Sequence, residues 1–451
     1  MATAFEQYFT ALQGKRIAVL GLGVSNRPLV RLLLRFGCDV TGYDRTPREK
    51  LEEEVLALET MGCKLRLGEN YMDGAQADIL FRTPGMHPGN PAVRVLAEQG
   101  AEVTSEMEAF FEVCPCKIIA VTGSDGKTTT TSVIAAMLKA AGKKVWLGGN
   151  IGTPLLSNTP EIRESDIAVV ELSSFQLMDM RRSPSVAVVT NLAPNHLDVH
   201  KDMEEYVEAK KNIFRFQKEE DVLILNADNA ITDSFNGNGI TKRFSRKTQA
   251  DGLWLDGETI RRGEKAVLDT ADILLPGVHN IENYMAAILA VEGLADDETV
   301  RQVAKTFGGV EHRIELVRVK DGVKFYNDSI ASSPSRTIAG LRSFREKVTL
   351  IAGGYDKHIP YDELGPEICS HVKKLYLNGA TAPQIRAAVE NCSMAQPEIY
   401  DCGDFASAVR AAAADAKDGD IVLMSPASAA FDQFKNFMVR GDYFKKLVME
   451  L

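Results

Sequence analysis

The chain lacks a basic excess: across 451 residues, Lys and Arg number 52 against 62 Asp and Glu, a net charge of −10. That balance gives no global reason to bind nucleic acid, so an anionic ligand has to be held by a local cationic site. Long apolar runs are missing too. Stretches such as Ile-Ile-Ala-Val at 118–121 fall far short of the roughly 18–20 residues that span a bilayer, and no membrane helix is expected. The segment from Met1 to Leu12 carries Glu6 and no basic leader before an apolar stretch, so it does not read as a secretory signal, and a cytoplasmic location is expected. Cysteine is sparse: seven, an odd number scattered along the chain, fit reduced thiols better than a disulfide framework. Cys114-Pro-Cys116 has no second cysteine or histidine cluster at ligand spacing and reads as packing or surface thiols. Low-complexity tracts and repeats of 20–50 residues are absent. With 45% apolar and 25% charged residues the composition excludes disorder as the main state, and the length suits about three domains of roughly 150 residues.

What is present alternates strand and helix, which predicts an α/β fold of three doubly wound domains. Residues 16–45 read as strand, glycine turn, helix and strand, and further alternation runs to about 113, with Asp-Ile-Leu-Phe at 78–81 and a Pro84-Gly85 turn suited to a strand end facing a ligand. The pattern restarts at Lys117, with strands at 145–147, 167–170, 186–190 and 222–226 and a polar helix around 201–217. Residues 236–275 read as a small meander on the far side of that sheet, and Pro276-Gly277 opens a helix near 280–294. After Gly308-Gly309 a third unit begins, with strands near 323–326, 348–352, 374–377 and 420–424. The expected domains are 1–113, 114–309 and 310–451.

The strongest motif is Gly123-Ser124-Asp125-Gly126-Lys127-Thr128-Thr129, placed between a strand and a helix. Backbone N–H groups of such a turn cradle phosphate oxygens, and Lys127 reaches the β and γ groups. Val121 stands where the usual P-loop spacing needs glycine, so the loop is a shortened one. Hydroxyls at Thr128 and Thr129 suit a magnesium ion that shares its oxygen ligands with a nucleotide. Glu171, at the end of Ile-Ala-Val-Val, is the carboxylate placed to complete that site, because ligands bind at the carboxyl ends of parallel strands. His196 follows another strand and is expected beside Glu171, although taken singly it is more often structural. Composition alone reads Lys210 as a solvated helix lysine. In the first domain, Gly21-x-Gly23-x-x-Asn26 lacks the third glycine of the dinucleotide fingerprint, while Asp44 stands where an acid commonly meets a ribose, so a nucleotide fits better than NAD and a plain turn remains open.

Five motifs in order resemble the Mur ligase family, the ATP-dependent amide ligases of cell-wall precursor synthesis. They are the 123–129 loop, Glu171-Leu-Ser-Ser-Phe-Gln-Leu, Asn195-His196-Leu-Asp198, Gly277-Val-His-Asn280-Ile-Glu-Asn283 and His312-Arg313-Ile-Glu315. The Gly-Leu-Gly turn at 21–23, the Glu171 segment and Ser425-Pro-Ala-Ser-Ala-Ala-Phe431-Asp432-Gln-Phe are most similar to members that add D-glutamate to UDP-N-acetylmuramoyl-L-alanine. The resemblance implies a Rossmann-like domain for the UDP-substrate, a P-loop-type ATPase domain and a Rossmann-like domain for the amino acid. It places Lys210 at a carbamylated lysine, which joins Thr128, Glu171 and His196 around Mg2+ and stands with Lys127 and His196 as catalytic. Asn280, Asn283, Arg313 and Asp328 join the 123–129 loop as ATP residues. Val24, Ser25, Asp44, Arg45, Thr46, Gly85, Asn150 and Ser173 fall on the UDP-substrate side, and Ser332, Lys357, Ser425 and Phe431 on the amino-acid side.

Where the family pattern reads Asp-Ser-Lys-Ala-Thr-Asn, this chain has Asp328-Ser-Ile330-Ala-Ser332-Ser333. A cation is lost, and Arg336 and His358 are the two residues available to replace it. The implied chemistry is phosphorylation of the L-alanyl carboxylate by ATP, then displacement of phosphate by the D-glutamate amine, with the third domain closing on a hinge near Gly308-Gly309. A monomer is expected, with no nucleic acid and no membrane as partner. The competing readings are another Mur ligase or a folylpolyglutamate-synthase-like ligase, an NAD-dependent oxidoreductase, and a nucleotide-binding regulator without catalysis.

Overall fold

The computed structural model describes residues 2–196 and 199–451, so Asp198 of the histidine segment lies outside the described residues. Three sheets account for the α/β alternation. In the first, β1 (Arg16–Leu20), β2 (Asp39–Asp44), β3 (Lys64–Leu67), β4 (Ile79–Arg82) and β5 (Glu102–Thr104) lie in the order β3-β2-β1-β4-β5, all parallel. The order reverses between β1 and β4, so the turns after β1, β2 and β4 open on one crevice at the carboxyl edge.

The second sheet contains β6 (Lys117–Thr122), β7 (Val145–Gly149), β8 (Ile167–Glu171), β9 (Val186–Val189), β10 (Val222–Asn226), β11 (Ile240–Ser245), β12 (Leu253–Asp256), β13 (Thr259–Arg262) and β14 (Lys265–Asp269). Their order is β14-β13-β12-β11-β10-β9-β6-β8-β7. Residues 236–275 were expected as a meander on the far side. Instead β11 pairs parallel to β10 and β12 parallel to β11, and β12, β13 and β14 form an antiparallel meander at the edge of the same sheet. The cause is register: Val222 pairs with Ile240 and the ladder runs to Asn226 and Phe244, leaving no gap at which a separate sheet would begin.

The third sheet holds β15 (Glu315–Lys320), β16 (Val323–Asn327), β17 (Val348–Gly353), β18 (Val372–Asn378), β19 (Glu398–Asp401) and β20 (Ile421–Met424), in the order β15-β16-β20-β17-β18-β19. Only β15 is antiparallel to its neighbour. Buried on both faces, β6, β8, β9, β17 and β20 are nearly continuous runs of Val, Ile, Leu and Ala, as central parallel strands require.

The chain forms two compact units, Met1–Asp272 with Ile281–Val303, and Ile273–Asn280 with Ala304–Leu451. In the first unit one apolar core joins both sheets, running from Phe9, Ile17 and Phe110 to Leu156, Val170 and Leu223. Each such side chain contributes about 1.5–3 kcal/mol when fully buried. The junction is also polar: Glu106 is buried and accepts the Leu156 N–H at 3.0 Å, and burial pushes its carboxyl up to about 7. Among the described residues no helix is long and apolar enough to cross a membrane.

Candidate active site

At the end of β6 the chain turns through Gly123 (φ 151°) and Gly126 (φ 77°) into the helix Lys127–Ala140. Glycine is required twice over. A Cβ at 123 would lie 1.9 Å from Thr190 Oγ1, and one at 126 would lie 2.3 Å from Asn283 Oδ1 in a backbone region that side chains rarely adopt. The loop is braced from below: Ser124 Oγ donates to Ala193 O at 2.9 Å and shares a hydrogen bond with Tyr206 Oη, while Asp125 N donates to Asn191 Oδ1 at 3.0 Å. Lys127 Nζ folds back onto the carbonyls of Gly123 and Ser124 at 2.9 and 2.8 Å, and Thr128 and Thr129 stand half-buried in the first helical turn. Asn283 therefore meets the loop itself, through Gly126 and Thr130 Oγ1 (3.2 Å).

Glu171, at the end of β8, is 1% exposed. Its Oε1 accepts the Asn150 amide at 2.7 Å, and its Oε2 is buried with no hydrogen-bond partner among the described residues. Asn150, placed by resemblance along the nucleotide-sugar, is thus the side chain that aims Glu171. Lys210 corrects the composition reading: it is 1% exposed, and Nζ donates to Gly123 O at 2.9 Å and Thr122 Oγ1 at 3.1 Å. Burial, reinforced by the charge of Lys127 and opposed by Glu171, holds the Lys210 amine well below the ordinary lysine range.

His196 has a left-handed backbone (φ 56°), and its ring lies 5.1 Å from that of Phe175. It was expected beside Glu171. The strands that lead to the two residues, β9 and β8, flank β6, and the ring contact with Phe175 brings His196 against the segment that follows Glu171.

A second histidine had no distinguishing spacing and was missed. His200 is buried, stacks on Phe175 at 5.4 Å and 12°, and hydrogen-bonds Ser174 Oγ through Nε2 at 2.9 Å. Its Nδ1 faces Glu205 at 3.5 Å, and Glu205 also reaches His87 at 3.4 Å in the turn after β4. Arg82 makes a parallel link. Fully buried at the end of β4, it pairs with Asp179 at 2.5 and 2.9 Å, and donates to Phe175 O at 3.0 Å and to the carbonyls of Pro84 and Met86. The Gly85 turn is therefore pinned to the segment after β8 by two independent sets of polar contacts.

The other first-sheet residues converge on the same edge. Asp44 accepts the N–H groups of Leu22 and Thr46, each at 2.9 Å, so it shapes two turns at once. Asn26, the departure from the dinucleotide fingerprint, is buried and donates to Leu20 O and Gly21 O, which closes the turn that a third glycine would leave open. Val24 and Arg45 are exposed, Thr46 is half-buried, and Ser25 begins its helix without a side-chain cap. Ser173 caps the short helix Ser174–Leu177 in a reciprocal box with Gln176.

In the second unit, Asp328 is buried at the end of β16, accepting Ser425 Oγ at 2.7 Å and Ile314 N at 3.3 Å. Burial pushes its carboxyl up to about 7 against the opposing charges of Arg313 and Arg336. Ser425, expected on the amino acid, is fully buried with its hydroxyl engaged by Asp328 and Thr337. Ser332 is half-buried, Lys357 is exposed, and Phe431 is exposed against the ring of Tyr355 at 5.8 Å. Asn280 donates to Pro276 O at 2.7 Å within its own turn.

A glycine loop and helix start, a buried carboxylate with an oxygen unpartnered among the described residues and an enclosed lysine lie together at the carboxyl edge of the parallel strands of the second sheet, an arrangement suited to nucleotide phosphate. Family models match as the Mur ligase middle domain over residues 121–291 and the Mur ligase glutamate ligase domain over 312–428. The chain belongs to the Mur ligase family. It is 53% identical to the UDP-N-acetylmuramoylalanine--D-glutamate ligase of Acetivibrio thermocellus and 46% identical to that of Clostridium perfringens, in each case over 99% of both chains. In fold it resembles the UDP-N-acetylmuramate-alanine ligase of Thermotoga maritima, with a TM-score of 0.58 at 17% identity, over 97% of this chain and 99% of that one.

Proposed function

We propose that the chain is an ATP-dependent amide ligase of the cytoplasm that, as a monomer, joins D-glutamate to the L-alanyl carboxylate of UDP-N-acetylmuramoyl-L-alanine. The full-length similarity to relatives named for that reaction carries the reading. In it, residues 1–113 take the nucleotide-sugar, 114–309 take ATP and Mg2+, and 310–451 take the amino acid. The turns bearing Val24, Ser25, Asp44, Arg45, Thr46 and Gly85, with Ser173, are the nucleotide-sugar contacts; Asn280, Arg313 and Asp328 are the ATP residues of the second unit; Ser332, Lys357 and Phe431 serve the amino acid.

A carboxylate is a poor acylating agent, and transfer of the γ-phosphoryl group onto it makes an acyl phosphate. The amine of glutamate then forms the amide bond, and inorganic phosphate leaves with the bonding pair. Two anions must first be brought together. The N–H groups of the 123–129 loop and the Lys127 ammonium oppose that repulsion at the phosphates. The unpartnered Glu171 oxygen and the Thr128 hydroxyl suit Mg2+, which supplies further charge neutralisation when bound. An ammonium at 210 does not ligate a cation. The lowered proton affinity of Lys210 favours the neutral amine, the form that adds CO2, and the resulting carbamate offers oxygen ligands beside His196 and Glu171. His200 and Arg82 act on the substrate side by holding Phe175 and the Gly85 turn in place.

Phosphate release is measured with ATP, Mg2+ and UDP-N-acetylmuramoyl-L-alanine while the amino acid is varied. Release that depends on D-glutamate and not on L-glutamate supports the reading; release driven by another amino acid reassigns the chain to a sister ligase.

A further inference from the structure

The geometry points to Arg336 as the second cation of the amino-acid site, binding a carboxylate of the incoming glutamate in place of the lysine missing at position 330. The inference rests on the ligase reading above. Glutamate carries two carboxylates, and a lone Lys357 matches one of them. Replacing the expected lysine by Ile330 leaves the other without a charged partner.

Arg336 lies in the first turn of the helix Pro334–Leu341, and its Nη1 donates to the backbone carbonyl of Ile330 at 3.1 Å. The guanidinium thus returns to the backbone of the very position whose side chain has lost its charge. One of its five N–H groups is committed there, and no ion pair is formed among the described residues, so the planar fork remains available for a bidentate carboxylate. Asp328, the acid whose field it shares, is buried, and burial pushes its carboxyl up to about 7, which weakens the charge opposing the guanidinium below that pH. Helix stability does not explain the position, because a cation in the first turn opposes the macrodipole. His358, the other candidate, faces an acid instead, with Nδ1 3.4 Å from a carboxylate oxygen of Asp356.

The test is steady-state kinetics on Arg336→Ala, Arg336→Lys and the double variant Ile330→Lys/Arg336→Ala, with thermal unfolding of each. Loss of a charged hydrogen-bond pair predicts a rise in KM for D-glutamate of roughly 10- to 100-fold in Arg336→Ala. KM for ATP and for UDP-N-acetylmuramoyl-L-alanine stays within about twofold, and the double variant recovers most of the loss. Arg336→Lys keeps a charge without the fork and falls between the two, which decides the matter if the alanine variant folds poorly. An unchanged KM for D-glutamate, or an equal rise in all three KM values, overturns the assignment. If the unaltered protein turns over with D-glutamate while those results hold, only Arg336 is withdrawn; if it does not turn over, the ligase reading falls as well.

Discussion

At the end of β6 the glycine turn packs closely against Thr190 and Asn283, whereas at the edge of the third sheet Lys357 and Phe431, expected on the amino acid, stand open. Gly123 and Gly126 have no room for a Cβ, Lys210 and Glu171 are each 1% exposed, and Ser124, Asp125 and Lys127 are hydrogen-bonded into the loop. By contrast Lys357, Arg336 and Phe431 are exposed. In the proposed reading, phosphate is held by backbone in a close-packed turn, which tolerates one arrangement, whereas an amino acid met by long exposed side chains accepts a cation from either of two positions. The departure from the family pattern at Ile330 falls where packing permits it.

That contrast predicts a gradient of sensitivity. The largest effect belongs to Lys127→Ala, which is expected to reduce ligation at least ~1,000-fold by removing charge from the transferring phosphoryl group. Near-normal turnover of this variant, assayed by phosphate release, would break the comparison at its strongest point. Gly126→Ala comes next. Its Cβ collides with Asn283 and its φ is left-handed, so KM for ATP should rise about 10-fold or more while KM for D-glutamate holds; a variant with unaltered KM for ATP would show the loop to be looser than described.

The smallest effect is on stability. Glu106 has its folded carboxyl pushed up to about 7, so the extra stability of its protonated form is complete below the ordinary carboxylate range and is lost as pH rises through about 7. Glu106→Gln keeps an acceptor for the Leu156 N–H and removes the titration. Between pH 5 and pH 8 it should lose ~2 kcal/mol less than the unaltered protein, measured by urea unfolding at both values. Equal losses would show that the carboxyl ionises freely in the folded chain.

Much of this was legible from residue order. Strand, glycine turn and helix at 117–140 follow from local periodicity, and the three sheets follow from β-branched runs punctuated by turns. What escaped depended on phase and on strand order. Lys210 and Lys211 are neighbours on the helix Met203–Arg215, and a rotation of about 100° sends one beneath Gly123 and leaves the other half-exposed against Glu208. Composition cannot tell them apart. β8 and β9 are consecutive in the chain, yet β6 lies between them in the sheet, a crossover that spacing does not record. His200 was invisible for a related reason, since its meaning comes from Phe175, Ser174 and Glu205, brought together only by folding. Arg336 and His358 look alike in the sequence as cations after Ile330, and the hydrogen bond from Arg336 to the Ile330 carbonyl sets it apart.

The most direct test of the central claim follows oxygen. UDP-N-acetylmuramoyl-L-alanine labelled with 18O in its alanyl carboxylate is incubated with the protein, ATP, Mg2+ and D-glutamate, and the released phosphate is weighed by mass spectrometry. If the acid is activated as an acyl phosphate, each phosphate released carries one 18O atom from the carboxylate and the nucleotide-sugar product gains one glutamyl residue. Unlabelled phosphate alongside formation of the same product would contradict the account.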